Sequence, residues 1–259
     1  AGRGTNTLPK EKGSTMPEPM VETTDAYIKD CERLIDEYHD SAPFSMKQIV
    51  LAPCQPINCY PETFVETVSL ARDKNVHMHT HLGEGENALM IERYGMRSVE
   101  WCQDIGFIGS DVWYAHGVEL QHFEYEILGK AGTGVSHCPA PVALGGLSVL
   151  DIPAMQDAGV LISLGCDGSA TNDGSSLLDS MRLAYCLQSY FRKDHKRSVL
   201  AYDVLRMATV NGAKTLGRSD IGSIEIGKAA DMFMIDTGTL DMCGALHDPK
   251  NILAYTGYS

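Results

Sequence analysis

Five short apolar runs punctuate this chain, and helical patterns fill the gaps between them. The runs are Met46–Ala52, Val76–His81, Val112–His116, Gly134–His137 and Val160–Cys166, each read as a strand. Helical periodicity covers Thr24–Tyr38, Glu86–Ile105 and Leu177–Phe191, and Phe64, Val68 and Ala71 share a face after Pro61, a good first helical residue. Strand plus helix recurs at roughly 20–35 residues, the size of a βα unit in a parallel sheet. Glycines punctuate the helix ends at Gly106, Gly129, Gly132 and Gly159.

Two architectures are built from such units, the closed eight-stranded barrel and the open doubly wound sheet. The open sheet usually carries a glycine-rich phosphate loop after its first strand. No G-x-G-x-x-G or P-loop lysine motif follows any strand here. Ionisable and thiol groups instead collect at strand C-terminal ends: Cys54, His81, Glu84, His116, Cys138 and Asp167. That rim is where barrels keep their chemistry, so an α/β chain of the (β/α)8 barrel type is expected. After Gly217 the texture changes. Residues 1–217 are expected to form part of a barrel, and 218–259 to lead into a small, separate β layer through a strand at Met232–Ile235.

Three strand ends stand out. In His77-Met78-His79-Thr80-His81-Leu82-Gly83-Glu84 the histidines alternate, so a strand's period of two puts all three on one face, about 7 Å apart per step. His81 then lies nearest the mouth, with Glu84 just beyond the strand. Ala115-His116-Gly117 ends the next strand. In Gly165-Cys166-Asp167-Gly168 an aspartate closes a nearly all-apolar run, where an ionised carboxylate is costly unless paired or metal-bound. Taken singly, a buried histidine is more often a hydrogen-bonded core residue, and an Asp before Gly a turn former. Three such sites on strand ends of one repeat favour a divalent ion, Zn²⁺ or Fe²⁺, with a nearby Glu moving protons between water and a leaving amine. His39, His122, His137, His195 and His247 are read as structural or surface residues.

Composition narrows the partners. A formal net charge of −13 argues against a phosphate backbone and hence against nucleic acid. No apolar run reaches the ~18 residues that would span a bilayer. The start, Ala1-Gly2-Arg3-Gly4-Thr5, lacks a secretory apolar region. The 8 cysteines sit singly with no C-x-x-C, so free thiols in a cytoplasmic protein are expected. A small, uncharged or cationic substrate fits this chain better than a polymer.

The motifs together resemble the amidohydrolase superfamily, in the group of triazine hydrolases and guanine deaminases. His81-Leu82-Gly83-Glu84 looks like the H-L-A-E motif of the fifth barrel strand. Ala115-His116-Gly117 resembles the sixth-strand histidine, Ser136-His137-Cys138-Pro139 the segment after the seventh, and Gly165-Cys166-Asp167-Gly168 the eighth-strand aspartate. Gly222–Asp231 resembles the family's return into its β-sandwich domain.

The resemblance implies His81 and Asp167 as metal ligands, with His116 a candidate third that also contacts water or substrate. It implies Glu84 as general acid/base, assisted by Asp167, and one divalent metal, Zn²⁺ ahead of Fe²⁺. The Gly2-Arg3-Gly4, Ala52-Pro53-Cys54, Asp167–Gly174 and Gly244–Pro249 segments look most like 8-oxoguanine deaminases, which would place Arg3, Cys54 and Gln55 near the heterocycle. The implied activity is hydrolytic deamination of a purine- or pterin-like ring such as 8-oxoguanine or guanine, releasing ammonia. A hydroxytriazine-type amidohydrolase is the alternative, and family members are often homodimers.

Two departures accompany the likeness. The family's H-x-H metal pair is expected well upstream of Arg3, so weak metal binding and little activity are expected of the 259 residues alone, as in a catalytically silent fragment. Where the family has C-P-x-S-N, this chain has Cys138-Pro139-Ala140-Pro141-Val142.

Overall fold

Six strands lie side by side in chain order, all parallel: β1 (Gly2–Thr5), β2 (Val50–Pro53), β3 (His77–Leu82), β4 (Val112–His116), β5 (Gly134–His137) and β6 (Ile162–Leu164). The computed structural model describes residues 1–194, 196 and 198–256; His195 lies outside the described residues. An order that never reverses has no topological switch point, which excludes the doubly wound sheet. Six of the eight strands of a (β/α)8 barrel are present, and the barrel is not closed.

Helices follow the strands on the sheet's outer side. They are α1 (Thr24–Tyr38), α2 (Pro61–Asp73), α3 (Asn87–Tyr94), α4 (Ser98–Asp104), α5 (His122–Ala131), α6 (Pro139–Leu144), α7 (Ile152–Asp157), α8 (Ser169–Asn172), α9 (Leu177–Arg192), α10 (Ala201–Ala208), α11 (Val210–Thr215) and α12 (Ile252–Thr256). Local chemistry sets their starts. The Ala26 N–H donates to the Thr23 hydroxyl at 3.2 Å to cap α1, and Pro61 opens α2 where its missing N–H costs nothing. Outward-facing Leu51, Met78, Tyr114, Val135 and Ile162 are buried in the main core, and the Phe64 ring meets Trp101 and Phe107 edge-on at 5.1 and 4.9 Å.

Several expectations change in detail. The single helix at Glu86–Ile105 is two, because Gly95 adopts a left-handed conformation (φ 73°) and ends α3. Gly129 lies inside α5 rather than at its end. A Cβ there would fall 1.9 Å from the Ala158 carbonyl oxygen, so glycine is needed for close packing. β2 begins at Val50, not Met46, and β6 ends at Leu164, leaving Asp167 three residues past the ladder. β1 was not foreseen. The expected strand at Met232–Ile235 does not form: it has no ladder partner among the described residues, and Met232, Phe233 and Met234 are exposed.

Candidate active site

β3 brings the first elements of the site. Its alternation places His77, His79 and His81 on the inner face, with the rings of His79 and His81 5.4 Å apart. His81 Nδ1 lies 3.0 Å from the Cys54 carbonyl oxygen, a contact that needs N–H on that nitrogen and leaves Nε2 as a free lone pair. His79 stacks on Trp113 and approaches its carbonyl through Nδ1 at 3.3 Å; burial, reinforced by His81, pushes its pKa down to about 4.

Past β3 the chain turns at Gly83 (φ 72°), where a Cβ would press on the Gly117 backbone at 3.0 Å. The buried Glu86 carboxylate fastens this turn. It accepts from the Gly83 N–H at 2.6 Å, the Glu84 N–H at 2.8 Å and the Ser98 hydroxyl at 2.7 Å. Glu84 is thereby held at the rim. Its Oε2 accepts from Gln55 Nε2 at 3.1 Å, and its Oε1 lies 3.3 Å from His116 Nε2. Burial raises the Glu84 pKa, and the nearby Asp167 charge adds to the rise.

β4 and the loop after β6 supply the other half. Simple alternation would leave His116 on the helix-facing side with Val112 and Tyr114. The backbone at His116 is instead left-handed (φ 75°), as it is at Asp167 (φ 63°), and the two side chains meet at the rim. Such conformations cost non-glycine residues about 1–3 kcal/mol each and gather at functional sites. His116 is completely buried, its ring stacks on His81 at 5.4 Å, and its Nε2 is 3.8 Å from Asp167 Oδ2. Neither ring nitrogen has a hydrogen-bond partner. Burial, with His81 adding, pushes its pKa down to about 4, so the ring is neutral near pH 7.

Among the described residues, His116, Cys138 and Asp167 form a ligand-type group whose donor atoms all lie within 4.8 Å of one another. His81 stands beside it. A free Nε2 on His81, an unpartnered neutral imidazole on His116 and the Asp167 carboxylate make a donor set that suits a divalent ion of borderline softness. Cys138 enters as a buried thiol whose pKa burial lifts to about 12. Sequence reasoning saw Cys138 at a strand end but gave it no role, and it missed Glu86.

The expected heterocycle contacts divide. Gln55 is at the site but bonds Glu84, and Cys54 contributes its carbonyl to His81 while burial lifts its thiol to about 12. Arg3 lines a cavity together with Cys54, His79 and His81. It pairs with Leu51 in the ladder, and its guanidinium bonds Glu22 at 2.9 Å and Asp30 at 2.7 Å over the Tyr27 ring. The two ion pairs anchor the guanidinium to Glu22 and to Asp30 of α1 at the edge of that cavity. Below the rim, His79, His81, Trp113, Ser136, Cys138 and Asp167 face a cavity of about 330 Å³.

A parallel βα array with histidine and carboxylate donors on its C-terminal rim defines the barrel-type metal hydrolases. Within that class the assignment is direct: residues 11–257 match the amidohydrolase family, and the chain belongs to it. It is 50% identical over 260 residues to hydroxydechloroatrazine ethylaminohydrolase of Pseudomonas sp. (strain ADP), covering 100% of this chain and 54% of that protein. It is 35% identical over 253 residues to 8-oxoguanine deaminase of Pseudomonas aeruginosa, covering 97% and 56%. A solved atrazine chlorohydrolase from Arthrobacter aurescens TC1 complexed with zinc superposes with a TM-score of 0.94 at 34% identity, covering 100% of this chain and 57% of the other. The chain thus spans about half the length of the relatives it matches.

Proposed function

We propose that this chain carries the metal- and proton-handling rim of an aminohydrolase that cleaves an exocyclic C–N bond of a small nitrogen heterocycle, an alkylamino-substituted hydroxytriazine. The observation that carries the reading is Glu84, a partly buried carboxylate of raised pKa at the junction of Gln55, His116 and the donor set. His81 and Asp167 would hold the divalent ion, with His116 as a further donor or as a contact to water and substrate. Such an ion supplies the charge that acidifies water and polarises the ring carbon.

The residues then divide the work. Glu84 takes the proton as the water oxygen bonds to the amidine-like carbon, and returns it to the amine nitrogen as the C–N bond breaks. A raised pKa suits a group that must be base and then acid in one turnover. Asp167 orients the attacking water. Neutral His116 can donate one N–H to the ring nitrogen, which gains the C=N electron pair as the water oxygen bonds to the carbon. The triazine assignment is supported by identity over the whole chain to an ethylaminohydrolase, 50%, against 35% to an oxopurine deaminase. An oxopurine such as 8-oxoguanine is the second reading, favoured by the Asp167–Gly174 and Gly244–Pro249 segments. The reading keeps the stretch from residue 218 to 239 as the lead into a second layer, supported by exposed Ile224, Ile226 and Met234, whereas α12 packs into the main core through Ala254.

The test supplies the intact zinc-loaded protein with an N-ethylamino hydroxytriazine and, separately, with 8-oxoguanine, and measures ethylamine and ammonia. Ethylamine release with the higher kcat/KM supports the first reading. Ammonia release alone replaces it with the second, and release of neither removes the aminohydrolase.

A further inference from the structure

The orientation of Gln55 is dictated from a distant loop. The Thr15 backbone N–H can only donate, and it lies 2.9 Å from one side-chain atom of Asn58, which must therefore be Oδ1. The hydroxyls of Ser14 and Thr15 donate to the same oxygen, each at 3.0 Å. With Oδ1 committed, Asn58 presents Nδ2 to Gln55, whose Oε1 accepts at 3.0 Å. Gln55 then has only its NH₂ left, and Nε2 meets Glu84 Oε2 at 3.1 Å. Asn58 is fully buried, so this order cannot be exchanged with water.

We infer that Gln55 is a positioning residue for Glu84, set by an Asn58–Thr15 relay that keeps an N–H, never a carbonyl, against the carboxylate. The inference rests on the reading of Glu84 as the proton carrier. Its consequence is an asymmetric carboxylate. Oε2 is tied to Gln55, and Oε1 is left facing His116 and the reacting groups. A free carboxylate would rotate and lose the alignment needed for proton transfer to and from one point.

The isosteric change Asn58→Asp tests the relay without touching Glu84. Its second side-chain oxygen cannot donate, so Gln55 must reverse and turn its carbonyl towards Glu84. In the intact zinc-loaded protein, kcat is expected to fall about 10- to 100-fold in Gln55→Leu and in Asn58→Asp, with KM within about twofold. Asn58→Asp added to Gln55→Leu should cost nothing more, because its effect passes through Gln55. Independent costs that add would overturn the relay, as would an unchanged kcat in Gln55→Leu.

A second measurement needs no turnover. The side-chain amide ¹H–¹⁵N signals of Gln55, assigned by their loss in Gln55→Leu, should shift in both Glu84→Gln and Asn58→Asp. Signals unmoved in both folded variants would overturn the proposal even if Asn58→Asp proves too unstable for kinetics. Activity persisting in Glu84→Gln would remove the proton-carrier reading itself, a result distinct from failure of the relay.

Discussion

Glu84 and the His116–Asp167 pair face each other across a few ångströms, yet their surroundings differ. Around Glu84 the polar groups are paired. Glu86 fastens the turn through two backbone N–H groups, and Gln55 holds the carboxylate itself. Across the rim, His116 is buried with both ring nitrogens unpartnered, and Asp167 is held by its own loop, with Gly168 N–H donating at 2.6 Å to its Oδ1. The first arrangement is a finished device, in which the protein supplies the partners. The second is a set of donors on strained backbone whose chemistry suits a cation. Proton transfer demands a group fixed in advance, whereas ligands gain their order when the ion binds.

The largest effect should come from the donor side. Asp167→Asn replaces the one carboxylate in the donor set, and the protein is expected to lose its bound metal and with it detectable amine release. Elemental analysis after exhaustive dialysis checks this, and full metal retention would mean the ion sits elsewhere. On the Glu84 side, Glu84→Gln should lower kcat by about 10²–10⁴-fold while metal content stays at the wild-type level. That split, metal lost in one variant and chemistry lost in the other, is the comparison in experimental form.

Glu86→Ala should act through stability. It orphans the N–H groups of Gly83 and Glu84 and the Ser98 hydroxyl in a buried turn, and about 3 kcal/mol of unfolding free energy is expected to go. Denaturant melts would show it, and an unchanged midpoint would remove Glu86 as the fastener.

The smallest effect is a pH dependence. Burial pushes His137 down to about 3, with the charge of His116 adding, whereas the unfolded ring titrates near ~6.5. Below that pH the unfolded chain binds a proton that the folded ring refuses. Stability should therefore be level above about 6.5 and fall as the pH drops towards the folded value. His137→Leu should flatten the slope of Tm between pH 6.5 and 5, and an identical slope in both proteins would contradict the assignment.

Much of this was legible in the sequence, because side-chain periodicity and strand-end position are local properties. The bounds of Thr24–Tyr38, Val112–His116 and Gly134–His137 match the structure, as does the shared face of His77, His79 and His81. β1 was not legible. A four-residue strand with two glycines has little intrinsic preference, and its ladder to β2 is set by tertiary pairing. Met232–Ile235 failed in the opposite sense, since apolar content does not make a strand without a partner. Within the site, the ion pairs of Arg3 and the role of Gln55 depended on which groups the fold brings beside each residue and on which amide atom its neighbours claim. A motif carries neither fact. His116 and Asp167 were placed at the rim by motif, but the left-handed turns that bring them together belong to the folded chain.

The central claim is that Glu84 moves the proton at a divalent-metal site. Metal content and amine release, measured on the same preparations of the wild-type protein and Glu84→Gln, test it most directly. In the intact protein, the expected result is one divalent ion per chain in both and amine release only from the wild type. Amine release at the wild-type rate from Glu84→Gln, with the ion still bound, would contradict it.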